Sequence, residues 1–461
     1  MRLVIIGGGG FRVPLVYRAL AQSSDSPRLI DDIVLYDVNA LRVAAISNVI
    51  AGIAATLPAG GPAIHVAATL DAAVQGADIV FFAARPGSTE GRVADERIAL
   101  SLGVLGQETT GAGGIAFALR SIPVAVDLAR RVAALAPNAW VINFTNPAGM
   151  VTAAMQTILG DRVIGICDSP IGLVRRAAAA AGVNMSQVTY DYAGLNHLGW
   201  LRSLSVDGVD RLPSLLADRR ALSSFEEGRV FGPDLLQLLQ CIPNEYLFYY
   251  YFTREAIAAI SGSASSRGEF IADQQRQLYP RLSNDPKHAY DLWNAARLAR
   301  EQGYLAEARN AGEERDDADL AGGGYEQVAL DVMRSLLTGK PNTLILNVRN
   351  AGALTQLPDD ALVEIPTIID SAGPHPLPAA PFTNDQLGLV IAMRAVEAAT
   401  IEAATTGSLA ATLLALTVHP LVDSANIAAQ LLKCYLDVDL QLIASEAQTP
   451  LAEDQHHQNG V

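Results

Sequence analysis

The sequence has few cysteines, fewer basic than acidic residues and no long apolar run. Three cysteines among 461 residues give no disulfide framework and suit a reducing cytoplasm. The 33 Lys and Arg against 48 Asp and Glu leave a net charge of −15, and without a basic cluster we expect no nucleic-acid partner. The most apolar stretch, 409–422, is too short to span a membrane. Glycines 7–10 leave no room for the apolar segment of a signal peptide, so we expect a cytoplasmic protein without a membrane anchor.

The pattern of apolar segments predicts two packed domains. Hydrophobic residues make up 50% of the chain, whose length exceeds the size at which one core keeps growing. Short buried strands alternate with helices over 1–166, which predicts a doubly wound α/β sheet. Long Ala-rich helices and a few strands follow, so we expect a second, α+β domain over 167–445 that carries substrate, metal and oligomer contacts. The polar tail, 446–461, is expected to be disordered.

A glycine turn follows the first predicted strand and opens the first helix. Gly7 and Gly9 allow a tight turn and close approach of a pyrophosphate to the helix terminus, although Arg12 replaces the third glycine of the fingerprint. Asp37 ends the next strand and can accept hydrogen bonds from a ribose, which favours NAD over NADP, whereas Arg42 nearby weakens that preference. A glycine turn in an unrelated α/β protein is the alternative. The candidate residues of this Rossmann-like site are Gly7, Gly8, Gly9, Gly10, Phe11, Asp37 and Arg42.

A cysteine and a histidine, each in its own polar motif, are candidate metal ligands. Cys167 lies in GICDSP and His197 in GLNHLGW, each just after a predicted strand. Thiolate and imidazole are ligands of first-row metals, and polar neighbours (Asp168 and Asn196) fit an open site that substrate oxygens and water complete. The alternative is a buried thiol that acts as a small hydrophobe and a hydrogen-bonded core histidine.

Two loops supply candidate substrate contacts. The glycine-rich loop GQETTGAGG and the segment before it contain Glu108 and Arg92, which are either substrate contacts or a solvated surface ion pair. Asn146 ends the strand segment NFTNP, where it fits a sugar hydroxyl or the nicotinamide ribose. An ordinary Asn-Pro turn is the alternative.

A tyrosine cluster and an arginine complete the set of candidates. The segment NEYLFYYY places four tyrosines, beginning with Tyr246, within six positions. A tyrosine beside a cation can serve as a base, although most of these rings must pack in the core. Arg267, somewhat later in the chain, is suited to bind a phosphate.

Taken in order, these segments resemble glycoside hydrolase family 4, the NAD- and metal-dependent glycosidases, and most of all its 6-phospho-β-glucosidase branch. The similarity spans nearly the whole chain. The segments that carry it are the glycine-rich start, GQETTGAGG, NFTNPAG, GICDSP, GLNHLGW, NEYLFYYY, NVRNAGALTQLPDDALVEIP and LTVHPLV.

The resemblance implies a role for each candidate residue. Cys167 and His197 would bind a divalent ion, usually Mn²⁺, and Tyr246 would be the base. Asp168 stands where β-type enzymes usually carry Asn, and it is similar to the acid of the α-type members. The resemblance implies that Arg92, Asn146 and Arg267 contact the phosphorylated sugar, and Glu108 and Asn196 complete the predicted substrate-binding residues.

The implied reaction is an exception to the two-carboxylate scheme of glycosidases. Hydride passes from carbon 3 of the sugar to NAD, the base removes the proton on carbon 2, the leaving group departs, water adds and the hydride returns. The implied assembly is a homodimer or homotetramer, and the implied partner is a phosphorylated disaccharide or glycoside. The alternatives are a 6-phospho-α-glucosidase, a lactate/malate-type dehydrogenase with the same sheet but no metal, and a non-catalytic NAD-sensing protein.

Overall fold

The computed structural model describes residues 1–25, 28–58, 60–309 and 324–447. The strands are β1 (Arg2–Ile6), β2 (Asp32–Tyr36), β3 (Ala63–Val66), β4 (Ile79–Phe82), β5 (Trp140–Asn143), β6 (Val163–Gly165), β7 (Val188–Leu195), β8 (Leu198–Val206), β9 (Val209–Asp210), β10 (Ile242–Pro243), β11 (Asn342–Arg349), β12 (Leu362–Asp370) and β13 (Gly373–Pro376).

Helices flank the sheet and build most of the carboxyl-terminal half. They are α1 (Val13–Gln22), α2 (Ala40–Ala55), α3 (Leu70–Val74), α4 (Ser88–Ser101), α5 (Ala112–Leu135), α6 (Ala148–Leu159), α7 (Ser169–Ala180), α8 (Leu212–Ala217), α9 (Arg219–Leu222), α10 (Glu226–Phe231), α11 (Pro233–Leu239), α12 (Phe248–Tyr251), α13 (Thr253–Gly262), α14 (Arg267–Asn284), α15 (Ala289–Gln302), α16 (Tyr325–Thr338), α17 (Asn384–Thr406), α18 (Leu409–Val418) and α19 (Ala425–Ala447). The last helix includes the first two residues of the predicted tail, and the remainder, 448–461, lies outside the described residues.

The amino-terminal half of the sheet is parallel and has the order β3-β2-β1-β4-β5-β6. This is the order of a dinucleotide-binding sheet, in which the strand order reverses between β1 and β4 and ligands bind beyond the carboxyl ends of the strands. The predicted Rossmann-like fold class is confirmed. Buried strands such as β1 and β4 carry almost only Val, Ile, Leu and Phe because helices cover both of their faces.

Beyond β6 the same sheet continues with antiparallel strands from the carboxyl-terminal half of the chain, in the order β6-β11-β12-β7-β8-β10. The junction is the pairing of Gly165 in β6 with Asn347 in β11. The predicted domain boundary at 166/167 thus falls directly after β6, inside a continuous sheet.

One core helix corrects an expectation about apolar length. Helix α5 is long and apolar enough to cross a membrane, although the sequence analysis found no such run. Its most apolar window is 72% buried inside the protein, where it packs against α6 and α17. The helix is therefore explained as a core element.

Candidate active site

The carboxyl ends of the parallel strands open into a cleft of about 2830 Å³. Pockets for one small ligand usually have volumes of ~300–1,000 Å³, so this cleft has room for two ligands. Both halves of the chain line it, which brings residues from the glycine turn to the tyrosine cluster together. The predicted residues that line it are Gly7, Gly10, Phe11, Asp37, Arg42, Arg92, Glu108, Asn146, Cys167, Asp168, His197, Tyr246 and Arg267.

The glycine turn lies against β4 and leaves no space for side chains. A Cβ on Gly7, whose φ is +89°, would lie 2.5 Å from the carbonyl oxygen of Ala83. Gly8 and Gly9 pack instead on β2 and α2, where Cβ atoms would lie 2.8 Å from Leu35 and 2.7 Å from Arg42. The turn thus presents bare backbone to the cleft just before α1, as a pyrophosphate requires.

Asp37 and two apolar side chains form the outer end of this part of the cleft. The Asp37 carboxylate accepts hydrogen bonds from the backbone N–H groups of Gly9 and Asn39, both at 3.0 Å. Beside it, Val38 and Leu41 line the cleft and are 93% and 80% exposed. This arrangement suits the adenosine of a dinucleotide, because the carboxylate can accept hydrogen bonds from the ribose and the apolar side chains can pack against the flat adenine ring.

Cys167 and His197 line the same cleft, as the sequence analysis predicted, and both are buried. Burial raises the pKa of the Cys167 thiol well above its ordinary range, and the carboxyls of Glu364 and Asp168 act in the same direction. Burial lowers the pKa of His197 to about 4, so its imidazole is neutral at pH 7 and able to bind a metal. His197 Nδ1 lies 3.1 Å from the Thr109 hydroxyl, which leaves Nε2 for the metal.

The local backbone aims His197 into the cleft. The residue sits in the two-residue turn between β7 and β8, with a φ of +62°. This left-handed conformation costs a residue with a Cβ about 1–2 kcal/mol, and such strain often persists at functional positions. Among the described residues no group of three or more His, Cys, Asp or Glu side chains could hold a metal. A metal ion held by Cys167 and His197 would have its remaining positions open to substrate and water.

Tyr246 lies directly on His197. The two rings are stacked, with centroids 3.6 Å apart and planes within 3° of parallel. The Tyr304 hydroxyl lies 3.2 Å from the Tyr246 oxygen and 3.0 Å from Glu245 Oε1, and its single proton can be donated to either. Burial raises the pKa of Tyr246 above its ordinary range, and the hydrogen bond from Tyr304 opposes that shift. A cation beside this phenol would favour the phenolate.

Arg92 and Glu108 form an ion pair whose side chains are 9% and 16% exposed, so it is not a solvated surface pair. Arg92 lies in α4 and donates to Glu108 at 2.6 Å and to Glu96 at 2.7 Å. Burial alone would raise the pKa of Glu108, but Arg85 and Arg92 hold it down at about 2. Glu96 also accepts from the Ser266 hydroxyl and from the N–H of Gly268, and it thereby fixes the start of α14.

Three arginines, Arg267, Arg300 and Arg12, lie near the start of α14, and Arg12 is 3.9 Å from the Glu301 carboxylate. Burial, together with the charge of Arg92, lowers the pKa of Arg267 to about 10. Burial also lowers the pKa of Arg300, and its Nη2 is buried without a hydrogen-bond partner. Arg12 adds a further charge that lowers the pKa of both. Neighbouring arginine cations that repel one another are suited to bind an anion such as phosphate.

Two polar residues at strand ends face the cleft and one does not. Asn146 and Asp168 line it after β5 and β6. Asn196, which was predicted to bind substrate, is not among the residues that line the cleft, and its amide donates to Glu364 at 3.1 Å. Adjacent residues of a β-turn point in different directions, so only His197 of this pair reaches the cleft.

Sequence reasoning missed the residues that support the predicted ones. Thr109 lies within the GQETTGAGG motif but carried no signal of its own, since its partner is 88 residues away. Glu364 is buried and accepts from Tyr192, Asn196 and Asn347, while burial raises its pKa to about 7. Such contacts join distant segments and leave no local pattern.

A doubly wound sheet with a bare glycine turn, at a cleft that a buried thiol and a buried imidazole also line, places this protein in the class of α/β proteins with a dinucleotide-type turn. The chain matches the family 4 glycosyl hydrolase over residues 2–183 and the C-terminal domain of that family over 192–422. It belongs to family 4 of the glycosyl hydrolases, and the family resemblance drawn from its motifs is confirmed.

Relatives of both anomeric types align along most of the chain. A probable 6-phospho-beta-glucosidase of Bacillus subtilis is 31% identical, covering 94% of this chain and 95% of the relative. A 6-phospho-alpha-glucosidase of Leptotrichia buccalis is 28% identical, covering 93% and 96%. The solved structure of the Thermotoga maritima 6-phospho-beta glucosidase with manganese, NAD+ and glucose-6-phosphate has a TM-score of 0.79 at 27% identity, covering 96% of this chain and 99% of that one.

Proposed function

We propose that this glycoside hydrolase acts on 6-phospho-β-glucosides and uses NAD and a divalent metal ion, Mn²⁺ in the first instance. The observation that carries the proposal is that Cys167, His197 and Tyr246 line the same cleft as the bare glycine turn. The names of the Bacillus and Thermotoga relatives, and the ligands of the Thermotoga structure, support the same assignment.

The residues present fit both groups. Cys167 and His197 supply one sulfur and one nitrogen to a metal, and the glycine turn and Asp37 suit a dinucleotide. Bound NAD and metal would supply reversible oxidation at carbon 3 of the sugar and polarisation of the oxygen there. With carbon 3 oxidised, the proton on carbon 2 is acidic enough for a side-chain base to remove.

Tyr246 is the base in this proposal. Its ring lies against the His197 imidazole, and the proton of the Tyr304 hydroxyl, 3.2 Å from its oxygen, would stabilise a phenolate when donated to it. Asp168, which lines the cleft at the start of α7, would protonate the leaving oxygen or orient the water that adds to carbon 1.

The arginines around α14 would bind the 6-phosphate. Arg267 and Arg300 are cations whose pKa values burial lowers. A bound phosphate would therefore offset the free-energy cost of removing these charges from water. Arg92 forms ion pairs with Glu96 and Glu108, and it would keep these two carboxylates in place beside the sugar.

Deuterium incorporation tests the chemistry. An aryl β-glucoside 6-phosphate is hydrolysed in D₂O with NAD⁺ and Mn²⁺, and the product is analysed by NMR. We expect deuterium at carbon 2 and no turnover without either addition. Protium retained at carbon 2, or full activity without NAD⁺, would exclude the elimination route.

A matched pair of tyrosine variants tests the base. Tyr246→Phe should lower kcat by roughly 10²–10⁴-fold, the usual contribution of a general base, while NAD⁺ binding persists. Tyr250→Phe is the control, since its hydroxyl contacts Met393 Sδ at 3.4 Å and lies outside the cleft lining. Similar kinetics of the two variants would remove Tyr246 from the base role.

The α-anomer is the second candidate substrate, and Asp168 is the observation that favours it. By resemblance an Asp at this position is similar to the α-type enzymes, and an α-type relative aligns along 93% of this chain. Parallel assays of the α- and β-linked aryl glucoside 6-phosphates decide between the two, because the preferred anomer is the one with the higher kcat/KM.

We further propose a cytoplasmic homodimer or homotetramer. Cys167, Cys241 and Cys434 are all free thiols, and a ligand thiol must stay reduced, which suits the cytoplasm. Light scattering on the purified protein measures the oligomeric state, and a monomer at micromolar concentration would contradict it.

A further inference from the structure

The carboxylate of Asp37 lies beside the glycine turn, where the acidic residue of a dinucleotide-binding fold accepts hydrogen bonds from the adenosine ribose. It ends β2, and backbone N–H groups of Gly9 and Asn39 hold both of its oxygens. A carboxylate at this position accepts hydrogen bonds from ribose hydroxyls and repels a 2′-phosphate. An arginine close by has the opposite effect, because it accommodates that phosphate.

Arg42, in the first turn of α2, is such an arginine, but helix α14 already holds its guanidinium. Arg42 Nη2 donates to Gln275 Oε1 at 2.7 Å and to the Tyr279 hydroxyl at 2.8 Å. The guanidinium also stacks on the Tyr279 ring, 3.9 Å from its centroid. One face and one end of the group are therefore occupied by side chains from the other half of the chain.

The two side chains that hold Arg42 are themselves fixed. Gln275 and Tyr279 are 8% and 9% exposed. The Tyr279 hydroxyl donates to the carbonyl of Gly9 at 2.7 Å while it accepts from Arg42. Helix α14 is anchored at its start by Glu96, which accepts from Gly268. Arg42 is thus attached to an anchored element.

We propose that Gln275 and Tyr279 determine the dinucleotide preference of this protein: they hold Arg42 away from the 2′ position of the adenosine ribose, so that Asp37 alone governs that position and NAD is preferred over NADP. The inference rests on the proposed use of a dinucleotide. It assigns specificity for the cofactor to a helix that the glycine fingerprint does not include.

Calorimetric titration of the full chain with NAD⁺ and with NADP⁺, without substrate or metal, tests the inference. The wild type should bind NAD⁺ more tightly. In the double variant Gln275→Leu with Tyr279→Phe, the ratio of the NADP⁺ Kd to the NAD⁺ Kd should fall by about tenfold, which corresponds to ~1.4 kcal/mol. Addition of Arg42→Ala to the double variant should return the ratio to the wild-type value.

The outcomes separate this inference from the function on which it rests. An unchanged ratio in a double variant that still binds NAD⁺ would overturn the role of Gln275 and Tyr279 and leave the proposed function standing. A fall that Arg42→Ala does not reverse would also overturn it. A wild type that binds neither dinucleotide would overturn the proposed function together with the inference. If Tyr279→Phe does not fold, Gln275→Leu alone should lower the ratio, because it removes the 2.7 Å acceptor.

Discussion

At the scale of single residues, the chain offers two buried thiols of different character. Cys167 lines the cleft and Cys241 lies outside that lining, so a matched pair of variants separates metal binding from packing. Cys167→Ser should weaken Mn²⁺ binding by more than about 100-fold, since loss of even an outer-shell partner costs about 10–100-fold. Electron paramagnetic resonance of free Mn²⁺ measures the affinity.

Cys241→Ser is the control. Cys241 accepts a hydrogen bond from Gln386 Nε2 at 3.6 Å and should leave Mn²⁺ affinity unchanged. Equal losses in both variants would mean that the Cys167 effect comes from general destabilisation.

His419 gives a pH-dependent prediction that does not involve the site. Its ring is 3% exposed and Nδ1 accepts from the N–H of Leu421, and burial lowers its pKa to about 3 from 6.5. The unfolded chain therefore binds a proton at a pH where the folded chain does not. The stability due to neutral His419 is present above pH 6.5 and is lost as the pH falls from 6.5 towards 3.

His419→Asn removes this titration. The free energy of unfolding of the wild type relative to the variant should fall by about 1.4 kcal/mol between pH 7.5 and 5.5. Urea denaturation at both values measures it. A difference that stays constant with pH would contradict the assignment.

At the scale of elements, Glu96 connects α4 to the start of α14. It accepts from Arg92, Ser266 and Gly268. Glu96→Ala leaves a buried arginine without this partner, so we expect a loss of about 3–5 kcal/mol of stability and a higher KM for the phosphorylated substrate. Urea unfolding and steady-state kinetics measure both effects.

Arg97→Ala is the neighbouring control. Arg97 pairs with Glu269 on the surface, with side chains 48% and 27% exposed, so its loss should change stability by less than ~1 kcal/mol. A KM as high as that of Glu96→Ala would mean that substrate binding does not depend on the buried contacts.

The elements that sequence predicted well are those with a buried apolar face. The strand predicted before the glycine turn matches β1, and the next strand, predicted to end at Asp37, matches β2. Helix α4 was not predicted from the sequence, because its buried face includes Arg92, Asp95 and Glu96 and so lacks an apolar stripe. A helix that forms the wall of a polar cleft cannot be recognised by hydrophobic periodicity.

The candidate site likewise contains residues that the sequence predicted and contacts that it did not. Motifs located Cys167 and His197 because their residue types are unusual at strand ends. Gln275 and Tyr279, which accept hydrogen bonds from Arg42, lie 233 and 237 positions after it in the chain. No local sequence pattern indicates these contacts. Residue types that can bind a metal or transfer a proton are recognisable in the sequence. The side chains that form hydrogen bonds with them are brought together only by the tertiary fold.

At the scale of the whole molecule, one sheet joins the two predicted domains. Strand β6 pairs with β5 on one side and with β11 on the other, and one core cluster contains residues of both halves, such as Leu3 and Trp200. We therefore propose that segments 1–166 and 167–445 unfold as one unit. Separation would expose β6 as an unpaired edge, which favours aggregation.

Gly165 in β6 tests this proposal, because a side chain there would press on both halves. A Cβ would lie 2.5 Å from Thr152 Oγ1 and 2.8 Å from Asn347 Cβ. Overpacking of this kind costs about 1–3 kcal/mol, so Gly165→Ala should lower the free energy of unfolding by that amount. Gly388→Ala, in α17 where no heavy atom lies within 4 Å of the added Cβ, should raise it by about 0.5–1 kcal/mol.

Trp140 in β5 and Trp200 in β8 report on the two halves of the sheet. If the junction at Gly165 makes them one cooperative unit, then single-tryptophan proteins should unfold at the same urea concentration, and Gly165→Ala should shift both midpoints equally. Two separate midpoints, or a shift confined to Trp140, would mean that β6 and β11 part before either half unfolds, and the two segments would then be independent domains.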